Sequence, residues 1–249
     1  QMPAGAVPDQ IRKALSSPTV GELSGHLTAI KLYNSGSFFD TRSVPPQDYD
    51  AIARLTARFP RVIVECHPAL IGSAVLRFRE LVAGRLEVAM GLETANLSVL
   101  EMLNKRLTPA GFMRAARFLT ENDVDVRAFV LIQPPFVSAE CAAEMAAESA
   151  EFAFQCGASV VSLIPTRSDD GVLQVLERNG YFARPSLHVI ERALELSIAL
   201  GKGRVIVDLW KLDEFAECQA CFEARRTRLA RMNLTQAAVP RVSCSTCGS

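Results

Sequence analysis

Six short apolar runs constrain what this chain can fold into more than any other feature. They span residues 27–33, 62–65, 86–91, 126–132, 159–164 and 204–209, recurring roughly every 25 to 45 residues. Segments with helical spacing lie between them. Ile52, Leu55 and Phe59 share one side of 49–59, a second pattern reaches to about 82, and others cover 109–120, the Ala-rich 139–154 ended by Gly157, and 185–200. Pro8 stands in the first turn of a further helix over about 9–15. Strand and helix in alternation is the rhythm of βα units on a parallel sheet, and right-handed crossovers wind such units one way. The expected fold class is α/β, a partial (β/α) barrel of about six parallel strands against the eight of a complete one. A doubly wound open sheet is the alternative. With 249 residues, 49% of them hydrophobic, the chain can bury one large core and carry a small appendage. The expected boundary puts the barrel at 1–213 and a metal-binding tail at 214–249.

Ligands of parallel α/β folds bind at the carboxyl ends of the strands, so the residues closing each run are the first candidates. The third run leads into Gly91-Leu92-Glu93, after which Thr94 and Asn96 can cap a helix carrying Val99, Leu100 and Leu103. Glu93 thus stands where a strand gives way to a loop. Its plainer account is a negative charge favoured at a helix start. Asn34, Ser35, Gly36 and Ser37 follow the first run, Glu65 closes the second, Gln133 follows the fourth, and Thr166 and Arg167 follow the fifth. These residues are expected on one polar rim. Ser35-Gly36-Ser37 can expose backbone N–H groups to a ligand, or form an ordinary turn. Glu65 and Glu93 can accept hydrogen bonds from sugar hydroxyls, or act as the acid and base of an ordinary barrel enzyme.

The seven cysteines are unevenly placed. Cys66, Cys141 and Cys156 stand singly, whereas Cys218-x-x-Cys221 and Cys244-x-x-Cys247 form two pairs with 22 residues between them. Paired knuckles of this spacing read as a tetrahedral zinc site, with an auxiliary iron–sulfur cluster as the alternative, and Gly248 suits a tight second knuckle. Between the pairs, Arg225 and Arg228 share a helix face, with Arg231 one turn further. They can grip RNA phosphates or line a solvated helix exterior. Twenty-seven Lys and Arg against 27 Asp and Glu leave no global footprint for nucleic acid. No apolar run approaches the roughly 18 to 20 residues of a membrane span, and the first residues lack the order of a signal peptide. A cytoplasmic protein without membrane contact is the expectation. His26 and His188 are isolated, and His67 is the one histidine expected on the rim. No Ser/His/Asp order, P-loop or dinucleotide glycine fingerprint appears.

Taken in order, four stretches resemble the successive strand ends of radical S-adenosylmethionine (SAM) enzymes. They are residues 32–39 (Leu-Tyr-Asn-Ser-Gly-Ser-Phe-Phe), 64–68 (Val-Glu-Cys-His-Pro), 90–94 (Met-Gly-Leu-Glu-Thr) and 103–108 (Leu-Asn-Lys-Arg-Leu-Thr). The similarity is to the branch around the elongator catalytic subunit, above all to the radical-SAM component of archaeosine synthase, a tRNA-modifying enzyme, and it runs from about residue 11 to 247. The resemblance implies that Asn34, Ser35, Gly36 and Ser37 hold the methionyl amino group of S-adenosylmethionine, with Glu65 and Glu93 near its ribose and methionyl end. Lys105 takes a position where the family often has an Arg for carboxylate binding. The family also binds a [4Fe–4S] cluster through a CxxxCxxC loop, which belongs before the 9–15 helix and is absent from these residues. On that reading the chain is a truncated piece or a degenerate relative, inactive alone in radical chemistry. The implied partners are tRNA, through Arg225, Arg228 and Arg231, and a second subunit. The rival reading is a non-catalytic RNA- or protein-binding module with a structural zinc.

Overall fold

The computed structural model describes residues 2–18, 26–33, 36–168 and 171–248. Six strands, β1 (Ala29–Leu32), β2 (Arg61–Glu65), β3 (Arg85–Glu93), β4 (Asp125–Ile132), β5 (Val160–Pro165) and β6 (Arg204–Val207), follow one another across the sheet in chain order. The pairs β1–β2, β2–β3 and β5–β6 are parallel. Chain-order succession is single winding. A doubly wound sheet reverses direction at a switch point, and this one does not. The topology is that of the six-stranded partial (β/α) barrel implied by the sequence.

The helices are α1 (Ala6–Leu15), α2 (Tyr49–Thr56), α3 (Ser73–Leu81), α4 (Leu97–Leu103), α5 (Pro109–Glu121), α6 (Ala139–Gln155), α7 (Gly171–Arg178), α8 (Leu187–Ala199) and α9 (Gln219–Thr235). Asn96 caps α4, its Oδ1 accepting the Val99 N–H at 3.1 Å, and Ser186 does the same for α8 through the Val189 N–H. Thr94 supports the first cap by accepting the Asn96 N–H. No described helix is long and apolar enough to cross a membrane.

The chain divides into two compact units, residues 1–91 with 111–127, and 92–110 with 128–249. The core of the first is aromatic. Phe38 packs against Phe78 at 4.8 Å between ring centroids and stacks on Tyr49 at 5.8 Å, all three fully buried. Because Phe38 and Phe39 directly follow Gly36 and Ser37, this cluster anchors the loop beyond β1 onto α2 and α3. Gly84 lets the turn before β3 pass close to the start of β2, where a Cβ would lie 2.5 Å from the Pro60 carbonyl oxygen. In the second unit, α6 presents Ala142, Ala143, Ala146, Ala150 and Ala153 to the core, and small side chains permit close packing on α8. The expected tail lies in this unit, with α9 packed on α8 and β6.

One departure from an apolar interior stands in the first unit. Glu87, mid-strand in β3 and 1% exposed, accepts from Arg127 Nε at 2.6 Å and from Arg61 Nη1 at 2.8 Å. Arg61 also reaches Asp125 at 2.5 Å. Removing Glu87 takes the carboxylate partner from the buried Arg127 Nε, while Arg61 keeps Asp125. Glu87→Ala is therefore expected to lower the unfolding free energy by about 3–5 kcal/mol in urea titrations, and a loss below about 1 kcal/mol contradicts this role. The Arg85 guanidinium, with Arg61, holds the Asp125 carboxyl below the usual carboxylate range. That stabilisation is complete above the ordinary Asp pKa and is lost as pH falls through the lowered one. Acidification is expected to destabilise the protein, and Asp125→Asn to flatten the dependence.

Candidate functional site

The strand ends of the first unit are tied to one another by the backbone. Phe38 N–H donates to the Glu65 carbonyl at 2.7 Å, and His67 N–H donates to Ser37 Oγ at 2.9 Å. Ser37 is thereby fixed beside the end of β2, with Gly36 exposed before it. Asn34 and Ser35 lie outside the described residues. His67 serves its own turn, where its Nδ1 accepts the Ala69 N–H at 3.1 Å and caps a short 3-10 segment over Pro68–Leu70. Cys66 is buried, and burial pushes its thiol up to about 11, the behaviour of a structural cysteine.

The second unit gathers more of the expected residues. Glu93 closes β3 with a left-handed backbone, φ 63°, and its Oε2 meets Lys105 Nζ at 2.6 Å. Two residues twelve positions apart in the sequence are thus joined. Gln133, just beyond β4, is also left-handed, φ 53°, and 2% exposed. Its Nε2 donates to the Ala183 carbonyl, whereas its buried Oε1 has no hydrogen-bond partner among the described residues. Non-glycine residues held in this region concentrate where function over-determines the backbone. A cavity of ≈ 550 Å³ lies alongside, lined among others by Asn104, Lys105, Leu131, Phe136 and Thr166. Its volume is in the range of small-molecule sites.

The cysteine quartet assembles as the spacing predicts. The sulfurs of Cys218, Cys221, Cys244 and Cys247 all lie within 4.8 Å of one another, and Cys221 Sγ is 3.9 Å from Cys247 Sγ. A single ion with metal–sulfur bonds of about 2.3 Å sets its tetrahedral ligands about 3.8 Å apart. A four-iron cluster gives each thiolate a different iron and spreads them further, so the observed packing fits one ion. Gly248, φ 75°, donates its N–H to the Cys244 carbonyl at 2.9 Å and closes the second knuckle. The N–H groups of Cys247 and Thr246 hold the Cys244 thiol below its usual range. Burial and the neighbouring sulfurs push Cys221 up to about 11. Four thiolates this close repel one another, and a divalent cation relieves the repulsion.

Two of the three arginines expected on an RNA-facing helix point inward. Arg225 and Arg228 are 6% and 4% exposed. Arg225 Nη2 binds Glu191 at 2.7 Å, and Arg228 Nη2 binds Glu195 at 2.5 Å while its Nε donates to the Val239 carbonyl at 3.0 Å. These charges are committed to packing α9 on α8, and only Arg231 of the three is exposed. Arg225 also faces the Cys221 thiol, joining that packing to the quartet.

No protein-family model matches the chain. It is 33% identical over 127 residues to archaeosine synthase subunit beta of Thermococcus kodakarensis, covering 49% of this chain and 39% of that protein. It is 25% identical over 221 residues to an uncharacterised protein of Methanocaldococcus jannaschii, covering 84% and 60%. Among solved structures, an N-terminally deleted Elp3 of Methanocaldococcus infernus superposes with a TM-score of 0.61 at 16% identity, over 81% of this chain and 52% of that one. The chain carries a radical SAM-like fold related to archaeosine synthase. The alignments span only part of each relative's length, between 39% and 60%.

The fold implies two groups, and the residues here treat them differently. The second unit offers an adenosyl ligand a cavity lined by Lys105, the partner of Glu93, and by Leu131 and Pro135 on either side of Gln133 in the chain, whose buried Oε1 lacks a hydrogen-bond partner among the described residues. A [4Fe–4S] cluster does not fit: the 249 residues contain no CxxxCxxC, and outside the quartet only Cys66, Cys141 and Cys156 remain. Among the described residues the quartet is the only metal-binding group of this kind. Purified chain is expected to hold one metal ion, and Cys221→Ser to release it and lower the melting temperature of the second unit. Binding should weaken as pH falls, since protons compete for the thiolates. A metal-free chain of unchanged stability contradicts the site.

Proposed function

We propose that this chain is the S-adenosylmethionine-binding core of a radical SAM enzyme acting on RNA nucleosides, with one structural zinc at the cysteine quartet. The observation that carries this reading is the join of Glu93, strained at the end of β3, to Lys105 beside a cavity of nucleoside-accommodating size. Relatedness to archaeosine synthase subunit beta, one subunit of that enzyme, supports the substrate class and a partner chain. In radical SAM enzymes the cluster and the cofactor together supply a 5′-deoxyadenosyl radical; no step of that chemistry is assigned to these residues. What they contribute is binding and orientation. Glu93 accepts from a ribose hydroxyl, Gln133 Oε1 accepts from the base or sugar, and Lys105 compensates the methionyl carboxylate; for Glu65, Asn34, Ser35, Gly36 and Ser37 the cofactor role is the one implied by the family resemblance. Four closely set thiolates, spaced for a single tetrahedral ion, support the choice of zinc.

Isothermal titration with S-adenosylmethionine tests the reading. The chain is expected to bind it, and Glu93→Ala and Lys105→Ala each to weaken binding about tenfold or more, the scale for losing a charged hydrogen bond. Absence of binding, or substitutions without effect, overturns it. Iron instead of zinc in the purified chain overturns the metal assignment alone.

A further inference from the structure

Trp210, the only tryptophan in the chain, stands just beyond β6 with 61% of its surface exposed. Its backbone is fastened on both sides. The Trp210 N–H donates to Asp208 Oδ1 at 3.1 Å, and Arg167 Nη2 donates to the Trp210 carbonyl. The indole is therefore held outward by a clamped turn. Arg167, which follows β5, lies beneath it: its guanidinium carbon is 5.3 Å from the Trp210 ring centroid and 5.3 Å from that of buried Phe215. The Arg167 side chain is only 10% exposed, and its Nε has no hydrogen-bond partner among the described residues. Lys211, left-handed at φ 48°, brings Nζ to 4.8 Å from the same indole. A guanidinium between two rings stiffens the platform, and two adjacent cations favour an electron-rich partner. Both contributing turns follow strand carboxyl ends, where ligands of βα folds bind.

We propose that Trp210 is a stacking platform for an unpaired base of an RNA strand, with Arg167 and Lys211 as its cationic flank. This rests on the RNA-directed reading above and adds the surface that meets the substrate strand. Asp208 and Glu214 pair with the two cations at 3.4 and 3.1 Å, so the patch carries little net charge. Affinity then comes mainly from stacking and little from counterion release, which gives a shallow salt dependence. Every base offers a π-face, so the platform tolerates many sequences.

Because Trp210 is the sole tryptophan, its fluorescence reports on this site alone. Titration of the chain with short single-stranded oligoadenylate is expected to quench the emission. Anisotropy of the labelled strand should show Trp210→Ala weakening binding roughly ten- to hundredfold, the stacking increment of one base. Trp210→Phe should retain most of the affinity and Arg167→Lys an intermediate share, with only a modest decline as salt rises. Unquenched emission with equal affinity of the wild type and Trp210→Ala overturns the proposal, as does absence of RNA binding. Loss of S-adenosylmethionine binding in Trp210→Ala, with RNA binding intact, also overturns it, because the base on the platform is then the cofactor's. A Trp210→Ala protein that still binds S-adenosylmethionine but not RNA supports it. The cofactor titration is read separately, so failure of the platform leaves the cofactor reading standing.

Discussion

Parallel pairing is the constraint on which the rest depends. A strand laid parallel to its neighbour is reached only by a crossover, so each strand's carboxyl end opens into a loop while its amino end receives the returning helix. In the first unit β1, β2 and β3 obey this, and the loop after β1 is latched to the end of β2 by the Phe38 and His67 amides. In the second unit the loops begin in strain: Glu93, Gln133 and Lys211, after β3, β4 and β6, all hold left-handed backbones. Such conformations cost on the order of 1–3 kcal/mol each and persist where the surroundings impose them. Left-handed residues also occur away from strand ends, at Asp123 before β4 and at Gln236 after α9.

The packing of α9 on α8 is organised by charge. Glu191 and Glu195, one turn apart on α8, face Arg225 and Arg228 of α9, and Arg241 closes the row on Glu195. Burying these groups costs desolvation that only dense pairing offsets. The reward is a fixed helix orientation. Because α9 begins at the Cys218 and Cys221 knuckle and Arg225 faces Cys221, the ion-pair row also sets the first half of the quartet. The quartet and the packing of α9 on α8 thereby share the first turns of one helix.

Much of this was legible in the sequence, for physical reasons that can be named residue by residue. The apolar runs specify the strands because parallel strands buried on both faces read as continuous hydrophobic segments. Asn96 declared itself a cap, and the two CxxC pairs a tetrahedral site, because short-range geometry decides both. Arg225 and Arg228 misled because an i, i+3 pair of arginines looks identical on an exposed and a buried face. The signal that could have corrected them was Glu191 and Glu195 at complementary spacing on α8. His67, expected on the rim, caps the turn that Pro68 begins. Trp210 carries no local signal of its own, because isolated aromatics are usually core. The Glu87–Arg127–Arg61 cluster was hidden for the opposite reason, three charges far apart along the chain and united only by strand register.

A crystal structure of the chain grown with S-adenosylmethionine tests adenosyl binding at the strand ends most directly. Density for the nucleoside in hydrogen-bond contact with Glu93 and with Gln133 Oε1, beside Lys105, is the predicted result. A well-ordered crystal at saturating ligand with that edge vacant, or with the nucleoside bound against other residues, contradicts it.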